Sequence, residues 1–154
     1  MKTILLVEDE QTLRTVVLFL LKSSGYNVIA ADDGLDGLRK ASECGGEIDV
    51  LLADIVMPRM TGIELAIQLS LERPKVKVLL MSAFATETIS LQEGWQLIRK
   101  PFALALLKDK IQVLLAGKPS DPPSTRPTPT QRWRSSRRTI RGNGIHGAHT
   151  PTPP

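Results

Sequence analysis

The stretch LLADIVMPRMTG, residues 51–62, decides how the rest of the chain is read. A continuous apolar run stops at a carboxylate, Asp54, with Pro58 four residues on and Gly62 eight residues on. An apolar run without polar alternation suits a strand buried on both faces, as inside a parallel sheet. Proline and glycine just beyond it mark a loop. An aspartate at a strand exit is commonly a turn residue. The meaning of Asp54 therefore depends on what the other strands bring to the same place.

Five short apolar runs recur: ILLV (4–7), NVIAA (27–31), DVLLA (49–53), KVLLM (77–81) and QLI (96–98). Helical patterns separate them. In residues 10–24, Leu13, Val16, Val17, Leu20 and Leu21 mark one helical face, and Gly25 suits the position just past its end. Leu35, Leu38 and Ala41 mark a second helix. Ile63, Ala66, Ile67 and Leu71 mark a third, closed before Pro74. Residues 84–93 allow a short fourth, and Leu104, Leu107, Ile111, Leu114 and Leu115 mark a fifth. Strand and helix alternate five times, which predicts an α/β fold with a doubly wound, five-stranded parallel sheet. Ligands of such sheets bind beyond the carboxyl ends of the strands, where the strand order reverses.

Composition fits one domain of this kind plus an extension. Of 154 residues, 42% are hydrophobic and only 4% aromatic, so the core is aliphatic. The single cysteine, Cys44, excludes an intrachain disulfide and a cysteine zinc site, and its place in a helical pattern suits a small buried apolar residue. No apolar run approaches the roughly eighteen residues of a membrane span. The opening MKTILLVEDE turns acidic after four apolar residues, too short for a signal-peptide core, so the cytoplasm is the expected compartment. The net charge of +4 averages two unlike parts. Residues 1–116 hold 13 Lys and Arg against 15 Asp and Glu, whereas residues 117–154 hold seven against one, Asp121. That second part contains eight of the eleven prolines and almost no aliphatics. It cannot bury enough to offset its ordering entropy and is expected to be disordered. The expected organisation is a folded domain over 1–117 and a disordered, basic, Pro/Arg-rich tail over 118–154.

The strand exits carry the chemistry. The first strand leads into Glu8 and Asp9, the third into Asp54, the fourth into Ser82 and the fifth into Arg99, Lys100 and Pro101. Singly, each has an ordinary explanation: acids at a helix start, a turn serine, a solvated lysine. In a parallel sheet these exits share one edge, so three carboxylates, a hydroxyl and an ammonium converge. Adjacent carboxylates repel unless a cation lies among them, and an oxygen-only, partly hydrated set suits Mg²⁺. With Lys100 as a fixed positive charge, such a site is suited to take a phosphoryl group on Asp54, with the Ser82 hydroxyl holding the product.

The sequence resembles the receiver domain of bacterial two-component response regulators. The resemblance rests on LLVEDE, DIVMPRMTG, LLMSA and KPF and covers about residues 2–116. It implies a (βα)5 flavodoxin-like receiver fold with Asp54 as phosphoacceptor. Asp9 would bind Mg²⁺ directly, Glu8 mainly through water and Val56 by its backbone carbonyl. Ser82 would swing toward the phosphoryl group, Lys100 would pair with it, and Pro101 would follow a cis peptide. The donor would be a phosphohistidine on a sensor histidine kinase or histidine phosphotransfer protein. Homodimer formation through the fourth helix, fifth strand and fifth helix is a further implication. The protein would be a signalling switch rather than an enzyme on other substrates.

Three departures from the family pattern stand out. Leu97 replaces the usual aromatic switch residue three positions before the lysine, with Trp95 nearby on the same strand face and expected to serve packing. The segment between Ser82 and Lys100 is short by about one helical turn, which predicts a short or irregular fourth helix. Val56 and Phe84, which flank the water that hydrolyses the family's phosphoaspartate, are apolar, which predicts slow loss of the phosphoryl group. No effector domain is recognisable after the receiver, which suggests a stand-alone regulator or a piece of a phosphorelay kinase. The competing class is a nucleic-acid-binding regulator acting through RWRSSRR (132–138), where arginines and Trp133 would give weak, non-specific, salt-sensitive binding. A hydrolase with an aspartate nucleophile shares the chemistry but needs a second acid and a cap, and neither is visible.

Overall fold

In a computed structural model of the protein, residues 1–84 and 90–117 are described. The expected disordered tail, 118–154, and residues 85–89 of the expected fourth helix lie outside them. The strands are β1 (Thr3–Val7), β2 (Asn27–Ala31), β3 (Val50–Asp54), β4 (Lys77–Ser82) and β5 (Gln96–Arg99). They form one parallel sheet in the order β2-β1-β3-β4-β5. Four helices are present among the described residues: α1 (Gln11–Ser23), α2 (Gly34–Glu43), α3 (Gly62–Glu72) and α4 (Leu104–Ala116). The last of these is the expected fifth helix. Residues 90–95 contain a turn at Glu93 and Gly94 rather than helix.

The continuous apolar runs are explained by coverage on both faces. Every residue of β1 and of β3 is buried. Alternate side chains serve opposite sides. Leu5, Val7, Leu51, Ala53, Val78 and Leu80 pack with Ala41 of α2 and Leu65, Ala66 and Leu69 of α3. Ile4, Leu6, Val50, Leu52, Leu79, Met81 and Ile98 pack with Val17 and Leu21 of α1 and Leu107, Ile111 and Leu114 of α4. Each such fully buried Leu or Ile contributes about 1.5–3 kcal/mol. The edge strands β2 and β5 are only partly buried.

The helices start and stop on local signals. Gly25 lies just past α1 at φ 90°, a conformation glycine adopts without strain. Asp33 caps α2 by accepting the Asp36 N–H. Thr61 and Glu64 form a capping box at α3, each side chain bonding the other's backbone N–H. On α3 the expected face is corrected. Leu65, Ala66 and Leu69 point inward, while Ile67 and Leu71 are exposed and Ile63 is only half-buried. Apolar residues surround this helix, so periodicity alone does not fix its rotation; the capping box and the burial of Gly62 do. On α1, Val16 of the expected face is exposed, as is Leu35 on α2, where Gly34 and Gly37 are buried instead. Cys44 is half-buried against the α2–α3 side of the core.

Candidate functional site

The chain turns from β1 to β2 on one side and reaches β3 on the other, so the strand order reverses between β1 and β3. The crevice beyond their carboxyl ends is where Glu8, Asp9 and Asp54 meet. One carboxylate oxygen from each lies within 4.8 Å of the other two. Glu8 and Asp54 are buried, at 1% and 8% exposure, and Asp9 faces solvent.

Lys100, one residue past β5, closes the group. Its Nζ donates to Glu8 Oε2 at 2.7 Å and to Asp54 Oδ2 at 2.8 Å. Its backbone N–H donates to the Ser82 carbonyl at 2.7 Å, which ties the β5 exit to the β4 exit. The Lys100–Pro101 peptide is cis. Ser82 ends β4 almost fully buried, and its hydroxyl accepts the Phe84 N–H at 3.1 Å. Asp54 is aimed from its other side: its Oδ1 accepts the Val56 N–H at 3.2 Å.

The electrostatics follow from this packing. Burial, together with the neighbouring Asp54 carboxylate, pushes the Glu8 carboxyl up to about 7, against the pull of Lys100 and the Glu10 N–H. Burial would depress the Lys100 ammonium, but its bonds to Asp54 and Glu8 outweigh that and hold it above its ordinary value. Two of the three carboxylates, Glu8 and Asp54, thus share one ammonium. Fully ionised, the group carries an excess of two negative charges, which a divalent cation would cancel. All its donors are hard oxygens, as Mg²⁺ requires.

The structure therefore brings Glu8, Asp9, Asp54 and Lys100 together, with Ser82 and Val56 on the bordering strand end and loop. Leu97 and Trp95 are both half-buried against the α2–α3 side of the core. Several supporting residues escape sequence reasoning. Arg14 of α1 donates to the Glu8 carbonyl at 2.7 Å and to the Asp9 carbonyl at 3.5 Å, pinning the acidic loop. Gly62 has no room for a side chain, since a Cβ there would lie 2.0 Å from the carbonyl oxygen of Asp54. The spacing of Gly62 from Asp54 carried that signal; nothing local marks Arg14.

Comparisons with known proteins agree with this geometry. Residues 4–112 match the response regulator receiver domain family. The chain is 33% identical over 119 residues to the response regulator receiver protein CpdR of Brucella abortus, covering 75% of this chain and 98% of CpdR. It is 33% identical over 117 residues to the sensor kinase CckA of the same organism, covering 73% of this chain but only 12% of that kinase. Among solved structures, the response regulator TrrA of Thermotoga maritima, in complex with Mg²⁺ and BeF, is 29% identical with a TM-score of 0.67. That match covers 75% of this chain and all of TrrA. TrrA has also been solved in complex with the histidine kinase ThkA. No helix among the described residues is long and apolar enough to cross a membrane. With the match spanning most of the described residues, and with CpdR covered almost end to end, the chain belongs to the response regulator receiver domain family, the signalling modules of two-component systems.

Proposed function

We propose that Asp54 is the acceptor of a phosphoryl group delivered by a phosphohistidine on a sensor histidine kinase or histidine phosphotransfer protein. The observation that carries this reading is the Lys100 ammonium, which bonds Asp54 and Glu8 at once beside the open acidic crevice. An Asp54 oxygen attacks phosphorus, a P–O bond forms and the P–N bond breaks. The electron pair leaves on the donor imidazole, and the product is an acyl phosphate. Lys100 stabilises charge on the transferred group, and its ties to β4 hold it in place without reorganisation during transfer. The Ser82 hydroxyl is available to bond the product by leaving Phe84. Glu8, Asp9 and Asp54, with the Val56 carbonyl, would hold Mg²⁺, which when bound neutralises the phosphoryl oxygens. The Mg²⁺-bound form of TrrA supports this assignment, and the TrrA–ThkA complex supports a kinase partner.

Residues 1–117 are the receiver unit in this reading, and 118–154 an extension outside the phosphorylation chemistry. The output is a change in protein contacts. Incubation with acetyl phosphate and Mg²⁺, read by intact mass, tests the proposal. One added phosphoryl group, absent in Asp54→Asn and abolished by prior chelation, is expected. Equal labelling of Asp54→Asn would reject it.

A further inference from the structure

The loop between β3 and α3, which carries Val56, is clamped at Arg59. Arg59 has φ 69°, and the Met60 N–H bonds the Pro58 carbonyl at 2.8 Å across it. This is a γ-turn built on a positive φ, a rare and strained form for a residue with a side chain. Strain of this kind persists only where the surroundings over-determine it.

Two contacts with the first turn of α2 do so. The Arg59 guanidinium donates to Oδ2 of Asp33, which is only 4% exposed. The other Asp33 oxygen accepts the Asp36 N–H at 2.8 Å, so one carboxylate caps the helix and anchors the loop. Met60 packs on Gly34 so closely that a Cβ there would lie 2.8 Å from the Met60 Cβ. At the loop's other end, the Gly62 N–H bonds the Ile55 carbonyl at 2.9 Å. Between these fixed points lies Val56, whose N–H aims Asp54 Oδ1.

We propose that Arg59 is a positioning residue: through Asp33 it holds the 55–61 loop on α2, and so sets the Val56 peptide and the Asp54 carboxylate before a metal or phosphoryl group arrives. The inference rests on the phosphoacceptor reading for its consequence, but the clamp itself is separately measurable. The geometry gives α2 a direct mechanical link to the acidic crevice, through one buried carboxylate.

Arg59→Gly removes the guanidinium while accommodating the positive φ. Asp33→Asn keeps an acceptor for the Asp36 N–H but loses the charge. In each variant of the full chain, Mg²⁺ affinity by calorimetry is expected to fall about tenfold, the lower end of what outer-shell partners of metal sites contribute. Amide hydrogen exchange at Val56 and Met60, measured without metal, is expected to rise, while exchange in β1 and β4 stays unchanged. The double variant should be no worse than either single one, as two halves of one pair require. Wild-type Mg²⁺ affinity and wild-type exchange in both variants would overturn the clamp, as would losses that simply add or that spread evenly over the domain. If the wild type takes no phosphoryl group while these measurements still move, the phosphoacceptor reading fails and the clamp stands.

Discussion

Replacing Glu8 by Gln should change the pH dependence of stability in a direction opposite to that of most carboxylates. The Glu8 carboxyl is pushed from 4.5 up to about 7, chiefly by burial and then by Asp54. Between those values the folded chain keeps a proton that the unfolded chain has released. Stability contributed by this group is therefore complete below about pH 4.5 and lost as pH rises through about 7. At about 1.4 kcal/mol per tenfold change in proton affinity, the displacement corresponds to about 3 kcal/mol. Gln cannot lose the proton and still offers an oxygen to Lys100, so Glu8→Gln removes the slope while keeping the contact. Urea unfolding of both proteins at pH 5 and pH 8 measures it. At a slope of roughly 1–3 kcal/mol per molar urea, the wild-type midpoint should drop by about 1–3 M relative to the variant. Glu8→Gln should then be the more stable protein at pH 8. Added Mg²⁺ should recover stability in the wild type as pH rises, since a divalent cation favours the ionised carboxylate, and should recover less in the variant. Parallel pH curves for the two proteins would refute the reasoning, because nothing else distinguishes them in that range.

Three other outcomes are expected. Gly62→Ala should destabilise the domain by about 2–3 kcal/mol, through overpacking against the Asp54 carbonyl, and should lower acetyl-phosphate labelling; a wild-type urea midpoint would contradict the contact. The phosphorylated wild type should persist for minutes or longer, because Val56 and Phe84 are exposed apolar groups that cannot orient water. Val56→Asn should shorten that lifetime, and a wild-type lifetime of seconds, followed by intact mass, would exclude the idea. Leu97→Ala should cost about 1–2 kcal/mol, as a half-buried core side chain does, while leaving the initial labelling rate within about twofold; a large loss of rate would give Leu97 a part in the chemistry.

Much of this was legible in the sequence, and the reason is physical. A parallel sheet buried on both faces needs continuous apolar runs, so its strands announce themselves, and β1, β3 and β4 begin and end within a residue of expectation. Polar residues at the ends of such runs must lie on one edge, so Glu8, Asp9, Asp54, Ser82 and Lys100 could be grouped from their order alone. The rotation of α3 could not be read, because Ile63, Leu65, Ala66, Ile67, Leu69 and Leu71 cover most of its circumference. The supports of the site were also hidden. Arg14 acts on backbone carbonyls, which carry no sequence identity, and Arg59 meets Asp33 across 26 residues through a backbone conformation that its own side chain does not favour.

The reach of Lys100 has a consequence for when the protein can act. Its two ionic partners stand 92 and 46 residues away along the chain. They become neighbours only after β1, β3, β4 and β5 have all taken their places in the sheet. A nascent or damaged chain holding the acidic residues but lacking the final strand has repulsive carboxylates and no ammonium to relieve them. On the phosphoacceptor reading, a copy can take its phosphoryl group only once all four of these strands are in place, and half-made copies stay silent without any separate inspection.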